Sequence, residues 1–122
     1  MSRSVQLVIF GQCYSMKNTK INGRFKHPKA QRFAKDFALQ VRPEHRKELS
    51  RLGKHPRFVR TTVRVYYPSR RQDLDTDLIY DCLQYTHVLL NDKVVREKHK
   101  FADVDPKNPR CEITLEEFEK YE

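Results

Sequence analysis

The sequence predicts a mixed α+β fold, in which a largely antiparallel sheet carries helices packed against it. Three observations support that reading. Residues 4–12, SVQLVIFGQ, alternate apolar and polar side chains at the two-residue period of a half-buried strand. Residues 56–68, PRFVRTTVRVYYP, do so more clearly. Between them Ala30, Phe33, Ala34, Phe37 and Val41 recur at helical spacing. With 122 residues and no internal repeat, the chain is expected to form one α+β domain over 1–122.

In order along the chain, the first strand puts Val5, Leu7 and Ile9 on one side and ends at Gly11. A long basic loop from Cys13 to His27 follows, with Lys17, Lys20, Arg24 and Lys26 interleaved with Tyr14 and Phe25, and with Asn18, Asn22 and Gly23 as turn residues. Cations beside aromatics suit phosphates and unstacked bases. The plainer alternative is a solvated loop pinned to the core by its aromatics. Pro28 suits the first turn of a helix that Arg42-Pro43 should interrupt. EHRKELSRLG, with Leu49 and Leu52, then reads as a second short helix stopped by Gly53.

The clearest strand places Val59, Thr61, Val63, Val65 and Tyr67 on one face, and Arg60, Thr62, Arg64 and Tyr66 on the other. After Pro68, the residues Leu74, Leu78, Cys82 and Tyr85, with Ile79 and Leu83, fit a helix lying on the sheet, capped by Asp75 or Thr76. HVLLNDKVV should turn at Asn91-Asp92. VVREKHKFAD and RCEITLEEF should then pair with each other around the loop at 105–109.

Composition narrows the function classes. Apolar residues make up 38% of the chain, charged residues 34%, and no run is long and apolar enough to span a bilayer. The first residues lack a signal-peptide cleavage pattern, so an intracellular address is expected. Cys13, Cys82 and Cys111 show no C-x-x-C spacing, which points to buried thiols rather than a disulfide framework or a zinc site. Histidines 27, 45, 55, 87 and 99 form no metal-ligand spacing either. The net charge of +9 is unevenly spread, with 18 Lys and Arg against 3 Asp and Glu in residues 1–71, and 7 against 13 in residues 72–122. A polycationic half favours a polyanionic partner, because each neutralised phosphate releases condensed counterions.

Acidic residues collect directly after that half, in RRQDLDTDLIYDCLQ, residues 70–84. In extended chain, Asp73 and Asp75 would point the same way from Cα atoms about 6.5 Å apart. Carboxylates so close repel each other, and Mg²⁺ bound between them would remove the repulsion while keeping waters for a substrate. Arg70 and Arg71 would grip flanking phosphates, with Lys17, Lys20, Arg24, Arg60 and Arg64 extending the grip. The competing reading makes Asp75 a helix cap, with Asp73 and Asp77 matching the helix dipole. Asp77 and Asp81 share a helix face and read as solvated. Asp92, after the apolar run Val88-Leu89-Leu90, could close the carboxylate cluster.

The ordered set Arg70-Arg71, Asp73-Leu74-Asp75, Asp81-Cys82-Leu83, Val88-Leu89-Leu90, Asn91-Asp92 and Val94-Val95 resembles the RusA family of Holliday junction resolvases. The opening is also similar, with a strand, Gly11, Ser15-Met16-Lys17-Asn18 in a basic loop, and a closing strand at CEITL. The resemblance implies a homodimeric, Mg²⁺-dependent endonuclease, with Mn²⁺ as a substitute, that cuts branched DNA such as a four-way junction. It makes Asp73, Asp75 and Asp92 the catalytic, metal-binding acids. It also implies a place at the nucleoid in the cytoplasm, encoded by a cell or by a phage. This chain departs from the family by having Thr76 where Asn is usual and Ile79 where a functional lysine is usual, which leaves Lys93 or Lys17 to steady the cleaved phosphate. Two rival readings follow, a branched-DNA-binding protein that no longer cuts and a basic RNA-associated protein. Metal-dependent nicking separates the first from a nuclease, and competition between RNA duplex and branched DNA separates the second.

Overall fold

A computed structural model of the chain describes residues 4–13, 20–21, 24–25, 28–45, 58–71, 74–85 and 94–118. Alternation builds the sheet. Strand β1 (Ser4–Phe10) buries Val5, Leu7 and Ile9, β4 (Phe58–Tyr67) buries Val59, Thr61, Val63, Val65 and Tyr67, and β6 (Arg110–Phe118) buries Cys111, Ile113 and Leu115. Each apolar side chain moved from water to the interior contributes roughly 1.5–3 kcal/mol, so these periodic rows decide which face turns inward. The strand order is β1-β6-β4-β5, with β5 spanning Val95–Val104. β6 pairs antiparallel with β1 and with β4, and β4 pairs parallel with β5.

Parallel neighbours need a crossover, and helix α2 (Asp77–Tyr85) lies in the connection between β4 and β5. It packs Leu78, Ile79, Tyr80, Cys82 and Leu83 into the same core that receives Ala30, Phe33, Ala34 and Phe37 from α1 (Pro28–Gln40). Both helices therefore cover one face of the sheet. Among the described elements none covers the other face, which presents Arg60, Thr62, Arg64 and Tyr66 of β4, and leaves Val8, Phe10 and Phe101 exposed.

Three expectations need correction. β5 and β6 follow each other in the chain but do not pair, because β4 lies between them. Burial explains the order: β6 hides its alternate residues completely, whereas β5, VREKHKFADV, is polar on both sides and so takes the edge. The loop between Cys13 and His27 contains a small antiparallel pair, β2 (Lys20–Ile21) and β3 (Arg24–Phe25). Leu74 lies before α2 rather than on its apolar face, and is 39% exposed. Of the two capping residues the sequence allows, Asp75 supplies the cap, while the hydroxyl of Thr76 is buried without a hydrogen-bond partner. Of the second helical pattern only its start is described, with residues 43–45 helical; residues 46–53 lie outside the described residues, as does the turn at Asn91-Asp92.

The strand ends are tied by short contacts. Gly11 adopts φ of +121°, a region that favours glycine, and its N–H donates to the Pro109 carbonyl at 2.9 Å. Asp105 N–H donates to the Tyr67 carbonyl at 2.8 Å, which fixes the chain where it leaves β5 to pass β4. No helix among the described residues is long and apolar enough to cross a membrane.

Candidate functional site

The connection from β4 to α2 carries the acids and arginines that the sequence singles out. β4 ends at Tyr67, Pro68 stops the ladder, and Arg70 and Arg71 lie exposed in a turn in which Arg71 N–H donates to Ser69 Oγ at 3.3 Å. The chain then returns to the helix face. Asp75 N–H donates to the Tyr67 hydroxyl at 3.2 Å, and Asp75 Oδ1 accepts the Asp77 N–H at 3.0 Å. Asp75 thus caps one of the free N–H groups at the start of α2, where its negative charge also complements the helix dipole. Its half-buried carboxylate is held by the backbone rather than left to swing. Beside it a cavity of about 300 Å³ opens between Tyr67, Ser69, Arg70, Ala102, Asp103 and Val104. That is the carboxyl end of the parallel pair β4–β5, the position at which α/β units commonly receive ligands.

Asp73 and Asp92 lie outside the described residues, and so do Lys17 and Lys93. Lys20 and Arg24 are placed on β2 and β3 by their backbone. Among the described residues no group of three or more His, Cys, Asp or Glu could hold a metal ion. The expected donor set is all carboxylate oxygen, which suits a hard cation such as Mg²⁺.

Arg60 and Arg64 do share a face, but it is the face away from α2 and Asp75. Arg60 Nε stands 3.0 Å from Glu97, with the guanidinium 5.0 Å from the Phe118 ring centroid. Arg64 stands 3.7 Å from Asp103 and 4.6 Å over Phe101. Arg110 bonds Asp105 at 2.8 Å and Glu112 at 3.2 Å while stacking 3.8 Å over Tyr66. The Arg110 guanidinium holds the Asp105 carboxyl below its ordinary pKa. Arginines balanced by carboxylates in this way offer little net charge to a phosphate.

The helix side differs, and sequence reading missed it. Lys98 pairs with Thr61 and Lys100 with Val63, so both share the row that α2 flanks. Their ammonium groups lie 4.2 Å and 5.9 Å from the Tyr80 ring centroid. Tyr80 belongs to the first turn of α2, since its N–H donates to the Thr76 carbonyl at 3.1 Å. Burial pushes its phenol pKa up, against an opposing hydrogen bond from Thr61, so the hydroxyl stays protonated at neutral pH. Alternating charge in REKHK gave no hint of which side each lysine takes, because that depends on the register shift between Val59 and Arg60.

Ile79, which the resemblance to the RusA family sets where a lysine is usual, is fully buried. A lysine there would carry its charge into the core. The three cysteines, distant in sequence, come together in that core as thiols rather than disulfides, and burial pushes Cys82 up to about 12, leaving it protonated and unreactive. The sequence matches no protein-family model and no curated protein.

Proposed function

We propose that this chain is a Mg²⁺-dependent, structure-selective endodeoxyribonuclease that cuts branched DNA, in the manner of the RusA family that it resembles, working as a homodimer. The observation that carries the reading is the setting of Asp75. This carboxylate is fixed between the Asp77 amide and the Tyr67-bonded backbone, next to two exposed arginines, at the carboxyl end of a parallel strand pair. Asp73 and Asp75, with Asp92 as the third acid, would hold the ion. Bound Mg²⁺ supplies Lewis acidity toward the scissile phosphate and its attacking water. Arg70 and Arg71 orient the phosphate backbone.

The test turns on the two roles open to Asp75. Asp75→Asn keeps an oxygen that can accept the Asp77 N–H, so the cap survives while the charge is lost. Purified protein with a synthetic four-way junction and Mg²⁺ should show cleavage that falls about a hundredfold or more in Asp75→Asn, at unchanged melting temperature. Equal cleavage by the variant leaves Asp75 a cap and removes the proposal. Asp92→Asn, assayed alongside, reports whether the third acid belongs to the site. Buried Ile79 favours a second reading, binding without cutting. Retention of the junction in a gel with no nicking under Mg²⁺ or Mn²⁺ selects it.

A further inference from the structure

Arg96 apart, which lies over the Phe58 ring, the strand cations of the sheet differ by face. On the uncovered side of the sheet Arg60, Arg64 and Arg110 each stand within ion-pair distance of a carboxylate. On the helix side Lys98 and Lys100 are exposed and, among the described residues, neither is in an ion pair. Two ammonium groups drawn to one aromatic ring repel each other, and a shared anion would relieve that repulsion. Tyr80 cannot swing away, because its ring is buried and its hydroxyl bonds Thr61 at 2.5 Å. The row continues along β5 through Ala102 and Val104, which line the cavity that Arg70 also lines. From Lys98 to Val104 that row is about 20 Å long.

We infer that Lys98 and Lys100, posed on the ring of Tyr80, form a binding track for successive phosphates of a nucleic-acid strand, leading along the free edge of β5 to Arg70 and the Asp75 loop. The inference rests on the nuclease reading for the identity of the polyanion. A single small anion would be served by one cation cluster. A row about 20 Å long, with cations at both ends and small apolar side chains between them, suits a polymer of regularly spaced charges. The chain's net charge of +9 gives that polymer a long-range attraction as well.

Salt dependence reads the track directly. Binding of a fluorescently labelled four-way junction, measured with Ca²⁺ in place of Mg²⁺ from about 50 to 200 mM salt, should lose about 1.8 per bound protomer from the log–log slope in Lys98→Gln/Lys100→Gln. The matched control, Lys35→Gln/Lys107→Gln, removes two exposed lysines outside the row and should keep the wild-type slope. An unchanged slope in the first variant, or an equal loss in the control, overturns the track. So does displacement of the junction by polyglutamate at equal charge concentration, which would make the ligand an acidic peptide. Cleavage by the wild type with an unchanged Lys98→Gln/Lys100→Gln slope removes the track and leaves the nuclease. No metal-dependent cleavage with the slope lost removes the nuclease and leaves a nucleic-acid-binding track. Thermal melts of both variants check that neither has lost the fold.

Discussion

The hydroxyls of Thr61 and Tyr80 meet at 2.5 Å in a core whose other members are mostly apolar. Neither has water to fall back on, so removing one partner leaves the other unsatisfied at a cost of about 1–3 kcal/mol, whereas removing both can be nearly neutral. Tyr80→Phe should therefore lower unfolding stability in urea by about that amount, and Thr61→Val/Tyr80→Phe should recover most of it. Additive losses in the double variant would mean that the hydroxyls are not each other's main partner. The Tyr80 substitution keeps the ring under Lys98 and so separates core stability from the cation arrangement. Asp75 shows what sequence can give at this scale. Its cap was readable from Asp-x-Asp before a helical pattern, but the choice between Asp75 and Thr76 was not, since both residue types can cap and only the backbone path selects one. Ile79 was readable as an apolar helix residue, and its full burial means that a charged side chain at this position would have to be desolvated in the core.

At the end of α1 the amide of Gln40 acts on a different element. Gln40 Oε1 accepts the Phe10 N–H at 2.7 Å, and its Nε2 donates to the Phe10 carbonyl at 2.9 Å. The side chain thus imitates a neighbouring strand at the outer edge of β1, whose strand partner among the described residues is β6. Unpaired edges invite association with other chains, and a side-chain amide is one way to blunt them. Gln40→Ala should cost about 1–2 kcal/mol by urea denaturation, for two partly solvated bonds, and should raise light scattering at high protein concentration. Wild-type stability and monodispersity in that variant would assign Gln40 no part in the edge. β1, β4, α1 and most of α2 were legible because their burial period is strong. Strand neighbours were not. Periodicity tells which residues of β5 and β6 share a face, but says nothing about whether β4 passes between them. The charge on both sides of β5 was the available sign that it belongs at an edge.

Across the whole molecule, the candidate site and the closure of the sheet are built from different ranges of the chain. β4, α2 and β5 form a contiguous unit, with Val59 pairing Val95, and they carry Asp75, Arg70, Tyr80, Lys98 and Lys100. β1 instead waits for β6, since Ser4 pairs with Glu116 near the opposite end of the chain. Closing a longer loop costs more chain entropy, and contacts of long sequence separation slow folding, so a topology of this kind should fold on the millisecond-to-second scale. β6 is also the strand that joins both halves of the sheet, pairing β1 on one side and β4 on the other. Without β6 the edge of β1 has no strand to bond and the inner edge of β4 is bare. Pulsed hydrogen exchange during refolding should therefore show amides of β1 and β6 gaining protection in one phase, no earlier than those of α2 and the β4–β5 ladder. Protection of β1 amides ahead of those in β6 would mean that the N-terminal strand finds a partner outside the sheet. In that case the site unit would not be the scaffold on which the rest of the sheet assembles.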